Sequence, residues 1–238
     1  MKKVIIIGAT SGIGEQLAKQ MAALNYQVGI TGKRQLLLND IEKSNPERIC
    51  TSCFDVNDEE NLIDNLNELV GRLGGVDVFI YSAGIGDVNE QLNNVIEQNT
   101  IRTNVMSFTN VINWAFDYIS AQKHGQIVAI TSVAGLRGND IAPAYNASKS
   151  YQINYMEALY RKVYQMKLPI RILDVRPGYV DTAMAKGEKL FWVTPVAKAA
   201  KQIIEGIENN ASVIYVSKRW RLFAWLFKSI PRYLFKKV

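Results

Sequence analysis

The sequence of 238 residues has few of the side chains that build disulfide frameworks and zinc sites: two cysteines and one histidine. The cysteines form a C-x-x-C at Cys50 and Cys53, but the segment RICTSCFD predicts a strand, in which residues three apart point to opposite faces. A redox pair would instead need its first cysteine exposed at a helix N-terminus. We therefore predict two structural thiols. His124 falls in a predicted turn, so we expect neither a catalytic histidine nor a metal site.

Long apolar runs are also absent. No stretch reaches 18 consecutive apolar residues, so the sequence predicts no transmembrane helix. The apolar run Val4–Ile7 is too short for the core of a signal peptide, and glycine follows it at once. With 48% apolar and 21% charged residues, the composition is typical of a globular domain, which we expect to be cytoplasmic.

Positive charge is concentrated at one end of the chain. The formal net charge is +6, yet residues 218–238 contain seven Lys or Arg and no acidic residue. The rest of the chain therefore has a formal charge of about −1 and lacks the broad basic surface of a nucleic-acid-binding protein. We divide the chain into a neutral domain, residues 1–217, and a basic, aromatic tail, residues 218–238, and predict no nucleic-acid partner.

Strand and helix patterns alternate along the domain. Short runs rich in Val and Ile, bounded by Gly, Asp or Ser, are separated by helical stretches. This order predicts right-handed crossovers and a doubly wound (Rossmann) α/β fold, a single domain whose parallel sheet of about seven strands has helices on both faces. Thr194 and Pro195 mark the start of the last of these helices. The predicted strands are Lys3–Ile7, Gln27–Thr31, Ile49–Phe54, Val76–Tyr81, Gln126–Thr131, Ile170–Val175 and Val213–Val216. The predicted helices lie near 13–24, 34–44, 58–72, 90–122, 144–166 and 195–209.

A glycine-rich loop, VIIIGATSGIG, connects the first predicted strand to the first predicted helix. Its first glycine permits a tight turn, its second lets a pyrophosphate approach the backbone, and its third lets the helix pack closely on the sheet. The free N–H groups of the helix N-terminus attract the phosphates. The loop therefore predicts a dinucleotide site. The residues expected to line it are Gly8, Thr10, Ser11, Gly12, Ile13 and Gly14.

The spacing G-x-x-x-G-x-G of this loop resembles that of the short-chain dehydrogenases/reductases. Further stretches match that family in order over residues 3–217. Two positions depart from its pattern: Ile7 stands where the family often has threonine, and Ser82 where it has asparagine. Both positions brace the cofactor pocket, so the departures affect details of the loops. The matching stretches are YSAG at 81–84, TNVMS at 103–107, IVAITSVAGLRG at 127–138, YNASK at 145–149 and RPGYVDT at 176–182.

The end of the second predicted strand bears on the choice of cofactor. An NAD site of this kind usually has an acidic residue there, which binds the ribose 2′-hydroxyl. Here Lys33 and Arg34 hold that position, and no acid occurs before Asp40. Two cations suit the 2′-phosphate of NADP(H), although they could instead begin a solvated helix. We predict NADP(H) rather than NAD(H), and the resemblance implies that Asp55 and Val56 contact the adenine.

Tyr145 and Lys149 are spaced one helical turn apart. A free tyrosine has a pKa near 10 and is a poor base at neutral pH. An ammonium group within about 6 Å favours the phenolate by roughly 2.8 kcal/mol at an effective dielectric constant of 20, or about two pKa units. Helical i, i+4 spacing provides such proximity. We therefore expect Tyr145 to act as a general acid or base.

The family resemblance implies roles for further residues. Ser132 would hydrogen-bond the substrate oxygen, and Lys149 would also hold the nicotinamide ribose. Asn104 would fix a water that relays protons from Lys149. Together with Tyr145, these form the predicted catalytic set. The other residues expected at the cofactor are Ala83, Gly84, Pro177, Gly178, Val180 and Thr182.

Two alternatives stay open on the substrate side. Met184, Leu190, Phe191 and Trp192 follow the sixth predicted strand. They either provide apolar walls for a hydrophobic or lipid-like substrate or simply pack a lid.

Members of the family usually also form oligomers in which the helix of Tyr145 pairs with its symmetry mate. The resemblance therefore predicts a homodimer or homotetramer.

The tail has two interpretations. As a helix ended by Pro231, it carries apolar residues on one side and basic residues on the other, a pattern typical of helices that lie on anionic membranes. It would then hold the protein peripherally at the inner face of the membrane. The alternative is that the tail packs against the body or a second subunit. The apolar side contains Trp220, Phe223, Leu226, Phe227 and Ile230, and the basic side Arg221 and Lys228.

These patterns together predict an NADP(H)-dependent oxidoreductase that transfers a hydride between nicotinamide and a carbonyl or secondary alcohol. A non-catalytic NADP sensor or scaffold on the same fold is the alternative, but such proteins typically lose the tyrosine or the lysine. An epimerase or dehydratase would usually be longer, with different glycine spacing.

Overall fold

The computed structural model describes residues 1–185 and 191–235, and its core is one parallel sheet. The strands lie in the order β3-β2-β1-β4-β5-β6-β7. Their Val- and Ile-rich sequences suit this position, because strands of a parallel sheet are buried on both faces. The strands are β1 Lys3–Ile7, β2 Gln27–Gly32, β3 Ile49–Cys53, β4 Val78–Tyr81, β5 Gln126–Ile130, β6 Arg171–Pro177 and β7 Val213–Val216.

Helices cover both faces of the sheet. On one face, α1, α2 and α7 bury leucine, isoleucine and methionine side chains against the strands, and on the other α3, α5 and α6 do so. The helices are α1 Gly12–Ala23, α2 Gln35–Ser44, α3 Leu62–Leu73, α4 Asn94–Ile101, α5 Phe108–Gln122, α6 Pro143–Gln165, α7 Val196–Glu208, α8 Trp220–Ser229 and α9 Arg232–Phe235.

Alternate residues of β1 show how the two layers are divided. Val4 and Ile6 belong to the core under α1, whereas Ile5 and Ile7 belong to the core under α5. All four are fully buried, and each such side chain contributes about 1.5–3 kcal/mol relative to an exposed one. The predicted doubly wound α/β fold is confirmed.

The predicted helix over 90–122 is observed as one helical stretch from Asn94 to Gln122. A π-helical turn at Arg102–Ser107 joins α4 to α5, and the backbone stays helical at both junctions. The predicted helix cap at Thr194 is wrong. Pro195 holds the N-cap position of α7, and the buried Thr194 hydroxyl oxygen has no hydrogen-bond partner among the described residues.

The strand order places a crevice at the carboxyl edge of the sheet. The chain turns from β1 towards β2 and β3 on one side, and resumes with β4 on the other. Ligands of open α/β sheets bind where the order reverses in this way. The loops after β1, β4, β5 and β6 all open onto this edge, because every strand pair is parallel.

Within residues 1–185 and 191–235, no helix has both the length and the apolar character needed to cross a membrane.

Candidate active site

Glycines shape the loop after β1. Gly8 and Gly12 have φ values of +83° and +63°, which L side chains rarely adopt. A Cβ on Gly8 would lie 2.6 Å from the backbone of Ala83 in the loop after β4. The two loops can therefore approach closely only because Gly8 has no side chain. The backbone facing the N-terminus of α1 is thus left open to a phosphate.

The two predicted phosphate-binding cations lie beside this loop. The Arg34 guanidinium donates from Nε to the Thr10 hydroxyl at 3.0 Å and from Nη2 to the Ser11 hydroxyl at 2.8 Å. Lys33 is more exposed, and its Nζ lies 3.7 Å from an Asp55 carboxylate oxygen. Neutral hydroxyls hold the guanidinium, so its charge stays available to an anion.

The turn after β3 connects the adenine side to the π-helical turn. Asp55 Oδ1 accepts from the backbone N–H of Asn57 at 3.0 Å and from its side-chain amide at 2.9 Å. Asn57 Oδ1 in turn accepts from the Ser107 hydroxyl at 2.8 Å. Val56 is buried beside them. The polar contacts therefore fix the turn against the segment that carries Asn104.

Asn104 is fully buried in the π-helical turn and fastens the loop after β4. Its Oδ1 accepts from the Ile85 N–H at 2.9 Å, and its Nδ2 donates to the Ile85 carbonyl at 2.8 Å. The same Nδ2 donates to the Ser148 hydroxyl on α6 at 3.0 Å. Asn104 therefore holds the Gly84–Ile85 backbone at a fixed distance from α6.

Tyr145 lies in the first turn of α6, against the loop after β4. A Cβ on Gly86 would lie 2.6 Å from the Tyr145 ring, so that glycine lets the backbone approach the ring face. Burial raises the pKa of Tyr145, and hydrogen bonding to Ser132 opposes that shift. The phenol is therefore the resting form in this state of the protein.

Lys149 is only 4% exposed. Its Nζ lies 5.9 Å from the centre of the Tyr145 ring, so the predicted proximity is present. The ammonium donates to the Ile130 carbonyl at 3.1 Å and to Gln152 Oε1 at 2.9 Å. Burial lowers the pKa of Lys149 to about 8, and the Asp174 carboxylate opposes this shift.

The expected lowering of the Tyr145 pKa is wrong for this state of the protein. The sequence predicts that Lys149 favours the phenolate, whereas burial of the phenol raises its pKa. The Lys149 ammonium donates to Ile130 and Gln152. Loss of hydration also disfavours the charged form of each group in such a site.

Gln152 is a site residue that the sequence interpretation missed. It is fully buried on α6, three residues after Lys149. Besides accepting from Lys149, its amide donates to the Asn104 carbonyl at 2.9 Å. A side chain thus connects these two residues at the place where the family resemblance implies a water. A polar residue on the buried face of α6, followed by Ile153 and Met156, was the available signal.

Ser132 follows β5 and faces the loop after β6. Its hydroxyl oxygen accepts from the Ala134 N–H at 3.1 Å and lies 3.4 Å from the Pro177 carbonyl, to which it donates. The neighbouring Thr131 hydroxyl donates to the buried Asp174 carboxylate at 2.6 Å. The β5 loop is therefore tied to β6 on both sides of the serine.

Asp174 and Arg176 form a buried ion pair under this loop, which the sequence interpretation also missed. Arg176 Nε donates to Asp174 Oδ2 at 2.6 Å. Burial raises the pKa of Asp174, and the Arg176 guanidinium opposes that shift. A second guanidinium nitrogen donates to the Tyr215 hydroxyl at 3.1 Å, which fixes the pair against β7.

The loop after β6 brings the last predicted cofactor residues to the crevice. A Cβ on Gly12 would lie 3.2 Å from the Thr182 methyl group, so this loop faces the glycine-rich loop. The Gly178 N–H donates to the Val216 carbonyl at 2.7 Å, and Val180 pairs with Thr194 in an isolated parallel bridge.

The tail covers the other side of this loop. Trp220 is 2% exposed, and its indole occupies the space that a Cβ on Gly178 would need. Its ring centre lies 5.7 Å from that of Tyr179 and 5.3 Å from that of Phe191. The prediction that Trp220 belongs to a membrane-facing side is therefore wrong, and part of the tail packs on the body. Leu190, predicted as a further wall residue, lies outside the described residues.

The thiols and the histidine lie away from this crevice. Cys50 and Cys53 are on the edge strand β3, and His124 is an exposed residue whose ring lies 3.6 Å from Asp77. Among the described residues, no three His, Cys, Asp or Glu side chains are grouped so that they could hold a metal ion.

The sequence pattern that spans this crevice matches a known family. The model of the short chain dehydrogenases matches residues 2–190. The chain belongs to the short-chain dehydrogenase/reductase family. The resemblance seen in the motifs is thereby confirmed, and the protein is an oxidoreductase that acts on a CH–OH group with a nicotinamide dinucleotide.

Relatives within the family have the same general description. An uncharacterised oxidoreductase of Mycobacterium tuberculosis is 31% identical over 218 residues, which cover 88% of this chain and 85% of the relative. The 3-oxoacyl-[acyl-carrier-protein] reductase of Bos taurus is 28% identical over 191 residues, or 78% of each chain.

Solved short-chain dehydrogenase/reductase structures share the fold. One from Burkholderia phymatum, in complex with NAD, has a TM-score of 0.85 at 18% identity and covers 94% of this chain and 92% of its own. ElxO with NADP bound has a TM-score of 0.80 at 24% identity, covering 90% and 96%. Both likenesses extend over nearly the whole chain.

Proposed function

We propose that the protein is an NADP(H)-dependent reductase or alcohol dehydrogenase in which Tyr145 exchanges a proton with the substrate oxygen. The observation that carries this proposal is the placement of Tyr145, Lys149 and Ser132 around one crevice, beside the glycine-rich loop. The proposal commits to a carbonyl or secondary alcohol as the reacting group.

The crevice fits a dinucleotide in its shape. Positive φ values at Gly8 and Gly12 keep the loop free of side chains where a pyrophosphate would lie. Arg34 and Lys33 stand at the edge of the loop, where a ribose 2′-phosphate would accept charge-assisted hydrogen bonds. The residues from Gln27 to Asn39 include no Asp or Glu. These features favour NADP(H) over NAD(H).

The remaining cofactor residues line the crevice beyond the pyrophosphate. The Gly84 backbone faces Asn104 and Lys149, and a Cβ on Gly84 would lie 3.5 Å from the lysine Nζ. That opening would admit the nicotinamide ribose to Lys149. The residues that would hold the nicotinamide itself are Ala83, Pro177, Gly178, Val180 and Thr182.

The proton chemistry falls to the chain's own residues. When bound, the dinucleotide supplies a hydride to the carbonyl carbon or takes one up from the alcohol. Ser132 would donate a hydrogen bond to the substrate oxygen, which holds that oxygen near Tyr145. The Tyr145 hydroxyl would give its proton to this oxygen in reduction and take it back in oxidation. The Lys149 ammonium would stabilise the phenolate that remains.

Resupply of the proton involves the residues behind Lys149. The proposed relay leads from Lys149 through a water held by Asn104. Gln152 joins these two residues directly, because it accepts from the ammonium and donates to the Asn104 carbonyl. An amide exchanges protons poorly, so we assign Gln152 to holding Lys149 in position, with any relay water beside it.

A hydrophobic or lipid-like substrate fits the exposed apolar side chains near the crevice. Met184, Phe191 and Trp192 are all partly exposed on the segment after β6. Tyr179 is exposed beside them. A substrate with an acyl or other apolar chain would bury these surfaces. The name of the bovine relative, a 3-oxoacyl-[acyl-carrier-protein] reductase, agrees with a carbonyl on an acyl chain.

A homodimer or homotetramer would use α5 and α6. Tyr151 and Tyr155 stack with ring centres 5.6 Å apart on the outer side of α6, and the Tyr151 hydroxyl lies 2.8 Å from that of Thr109 on α5. Tyr160 is exposed further along α6. Aromatic residues on an exposed helix face are typical of interfaces between subunits. The proposed location is the cytoplasm.

The test is a screen of ketones, aldehydes and lipid-like carbonyls, in which the decrease of NADPH absorbance is followed. We expect turnover of at least one apolar carbonyl, and faster turnover with NADPH than with NADH. Tight NADPH binding without turnover of any carbonyl or alcohol would contradict the proposal and favour the non-catalytic sensor. Equal efficiency with NADH would contradict the assignment of Lys33 and Arg34.

A further inference from the structure

Helix α8 is apolar on two opposite faces. Trp220 and Ala224 point to the body and are buried. Leu222, Trp225 and Leu226 point away from it and are 65%, 66% and 52% exposed. Their i, i+3, i+4 spacing places all three on one side of the helix. This set, together with Tyr233 and Leu234 of α9, is called the outward face below.

The outward face is held on a fixed support. Arg137 Nη1 donates to the Ile230 carbonyl at 2.9 Å and to the Lys228 carbonyl at 3.3 Å. The Arg137 guanidinium also lies 4.2 Å from the centre of the Phe235 ring. α8 further packs on Val133–Leu136, directly after Ser132. The exposed apolar side chains are therefore presented by an anchored helix.

The charges of the tail that carries the outward face are all positive. Arg219, Arg221, Lys228 and Arg232 are on α8, α9 or the residues flanking them, and residues 218–238 contain no Asp or Glu. Monomeric proteins rarely leave a large apolar cluster uncovered. A second copy seated on this face through a two-fold axis would bring two such basic helices together. An anionic surface instead complements both the charge and the apolar side chains.

We propose that the outward face of α8 and α9 binds the surface of an anionic phospholipid membrane. Exposed aromatic and leucine side chains flanked by Lys and Arg are the combination that lies in the headgroup region. Each basic residue near such a surface adds to the attraction. This face differs from the apolar side predicted from the sequence, because it excludes Trp220 and includes Leu222 and Trp225.

The inner side of α8, opposite the outward face, packs on the substrate side of the crevice. Phe191 and Trp192 are partly exposed and contact Trp220 and Phe223, with ring centres 5.3 to 6.5 Å apart. The helix that carries the outward face is therefore the one that packs on the segment after β6. A protein bound through this face would hold that segment near the lipid, where an apolar carbonyl partitions. This last step rests on the proposed function, whereas the binding itself does not.

The experiment is co-sedimentation of the full-length protein with two kinds of vesicle. One contains phosphatidylglycerol and phosphatidylcholine, and the other contains phosphatidylcholine alone. The variants are Leu222→Glu with Trp225→Glu, and a matched control, Leu24→Glu, at an exposed leucine at the end of α1. NADPH binding, measured in parallel, reports that each variant is folded.

We expect the wild type and the control to sediment with the anionic vesicles and to remain in solution with the neutral ones. The double variant should lose at least about tenfold in partitioning, because it replaces buried apolar area by negative charge. Sodium chloride at about 0.5 M should weaken binding by the wild type. No carbonyl turnover is needed, so this outcome is separate from success or failure of the proposed function.

Two results would overturn the proposal. One is equal sedimentation of the wild type and the double variant with anionic vesicles. The other is failure of the wild type to bind them; a lower molar mass of the double variant in light scattering would then identify a second copy as the occupant.

Discussion

The two sides of the crevice are built in different ways. On the cofactor side, short turns after β1, β2 and β3 form the surface, and glycine backbones at Gly8 and Gly12 make the close approaches. On the substrate side, residues far apart in sequence meet: Trp220 of the tail fills the space beside Gly178, and Phe191 packs on Trp220. The first surface is local backbone geometry, and the second is long-range packing of side chains.

This difference determines which side of the site can be predicted from a sequence. A turn that needs glycine at a fixed spacing leaves a direct trace in the chain. A wall made by an aromatic side chain from another segment leaves none, because any of several aromatic residues could have filled it. The cofactor should therefore be the more predictable ligand and the substrate the less predictable one.

The largest loss of cofactor binding should come from the cations on the cofactor side. Replacing Lys33 and Arg34 together by serine should weaken NADPH binding by at least about 100-fold, since each of the two charge-assisted hydrogen bonds contributes about 1.5–3 kcal/mol. NADH binding and the carbonyl KM should change little. Fluorescence titration with both dinucleotides measures this, with Lys43→Ser, on the helix that follows these two residues, as the control. Equal losses of affinity for NADPH and NADH would contradict the assignment of Lys33 and Arg34 to the ribose 2′-phosphate.

Lys149, between the two sides, should make stability depend on pH. Its pKa is about 8 in the folded protein, against an ordinary value of 10.5. The unfolded chain therefore binds more protons between these two values, and Lys149 contributes a rise in the free energy of unfolding as the pH increases from about 8 to 10.5.

The variant Lys149→Met should lack that rise and should be more stable at pH 7, by up to about 3 kcal/mol. Urea unfolding of the wild type and the variant at pH 7 and pH 10 measures the difference. A variant less stable than the wild type at pH 7, with an unchanged slope against pH, would contradict the assigned pKa.

On the substrate side, Trp220→Phe should have a smaller effect. The Trp220 Nε1 has no hydrogen-bond partner among the described residues, so phenylalanine loses buried area but none of the described hydrogen bonds, and the expected cost is about 1–2 kcal/mol of stability. The KM for an apolar carbonyl should rise several-fold while NADPH binding stays constant. Trp225→Phe, at an exposed position of α8, is the control. A change confined to NADPH binding would reverse the assignment of the tail to the substrate side.

The smallest expected effect concerns Gln152. In Gln152→Leu the Lys149 ammonium loses one of its two acceptors, so its pKa should fall further, and the pH profile of kcat/KM should move to lower pH by up to about one unit. Gln152→Glu should move it the other way, because a carboxylate favours the ammonium. Identical profiles for the two variants would show that Gln152 acts only in packing.

The fold was largely predictable because buried parallel strands are unbroken runs of Val and Ile. Six of the seven predicted strands begin within one residue of the observed start, and β4 within two. The π-helical turn within the helix over 90–122 was not predictable from local sequence. Its π-helical turn holds Asn104, whose side chain is fixed by Ile85 and Ser148 from other elements, so tertiary contacts decide it.

The site was predictable in part, for a similar reason. Tyr145 and Lys149 lie within one helical turn, and such spacing can be read directly. The direction in which the Tyr145 pKa shifts could not be read from the sequence, because it depends on burial and on the hydrogen bonds that Lys149 makes elsewhere. Helix α8 has apolar residues on two opposite sides, so the sequence could not decide between Trp220 and Trp225 as its inner side.

We propose that cofactor binding and proton transfer belong to separate groups in one crevice, and the variant Tyr145→Phe distinguishes the two. The variant removes one hydroxyl, and general acid–base catalysis of this kind contributes about 10²- to 10⁴-fold. On one preparation, we would measure the NADPH dissociation constant and carbonyl turnover, with Tyr160→Phe on the same helix as the control. We expect Tyr145→Phe to reduce turnover by at least about 100-fold and to leave NADPH affinity unchanged within about twofold. Undiminished turnover in Tyr145→Phe would contradict it.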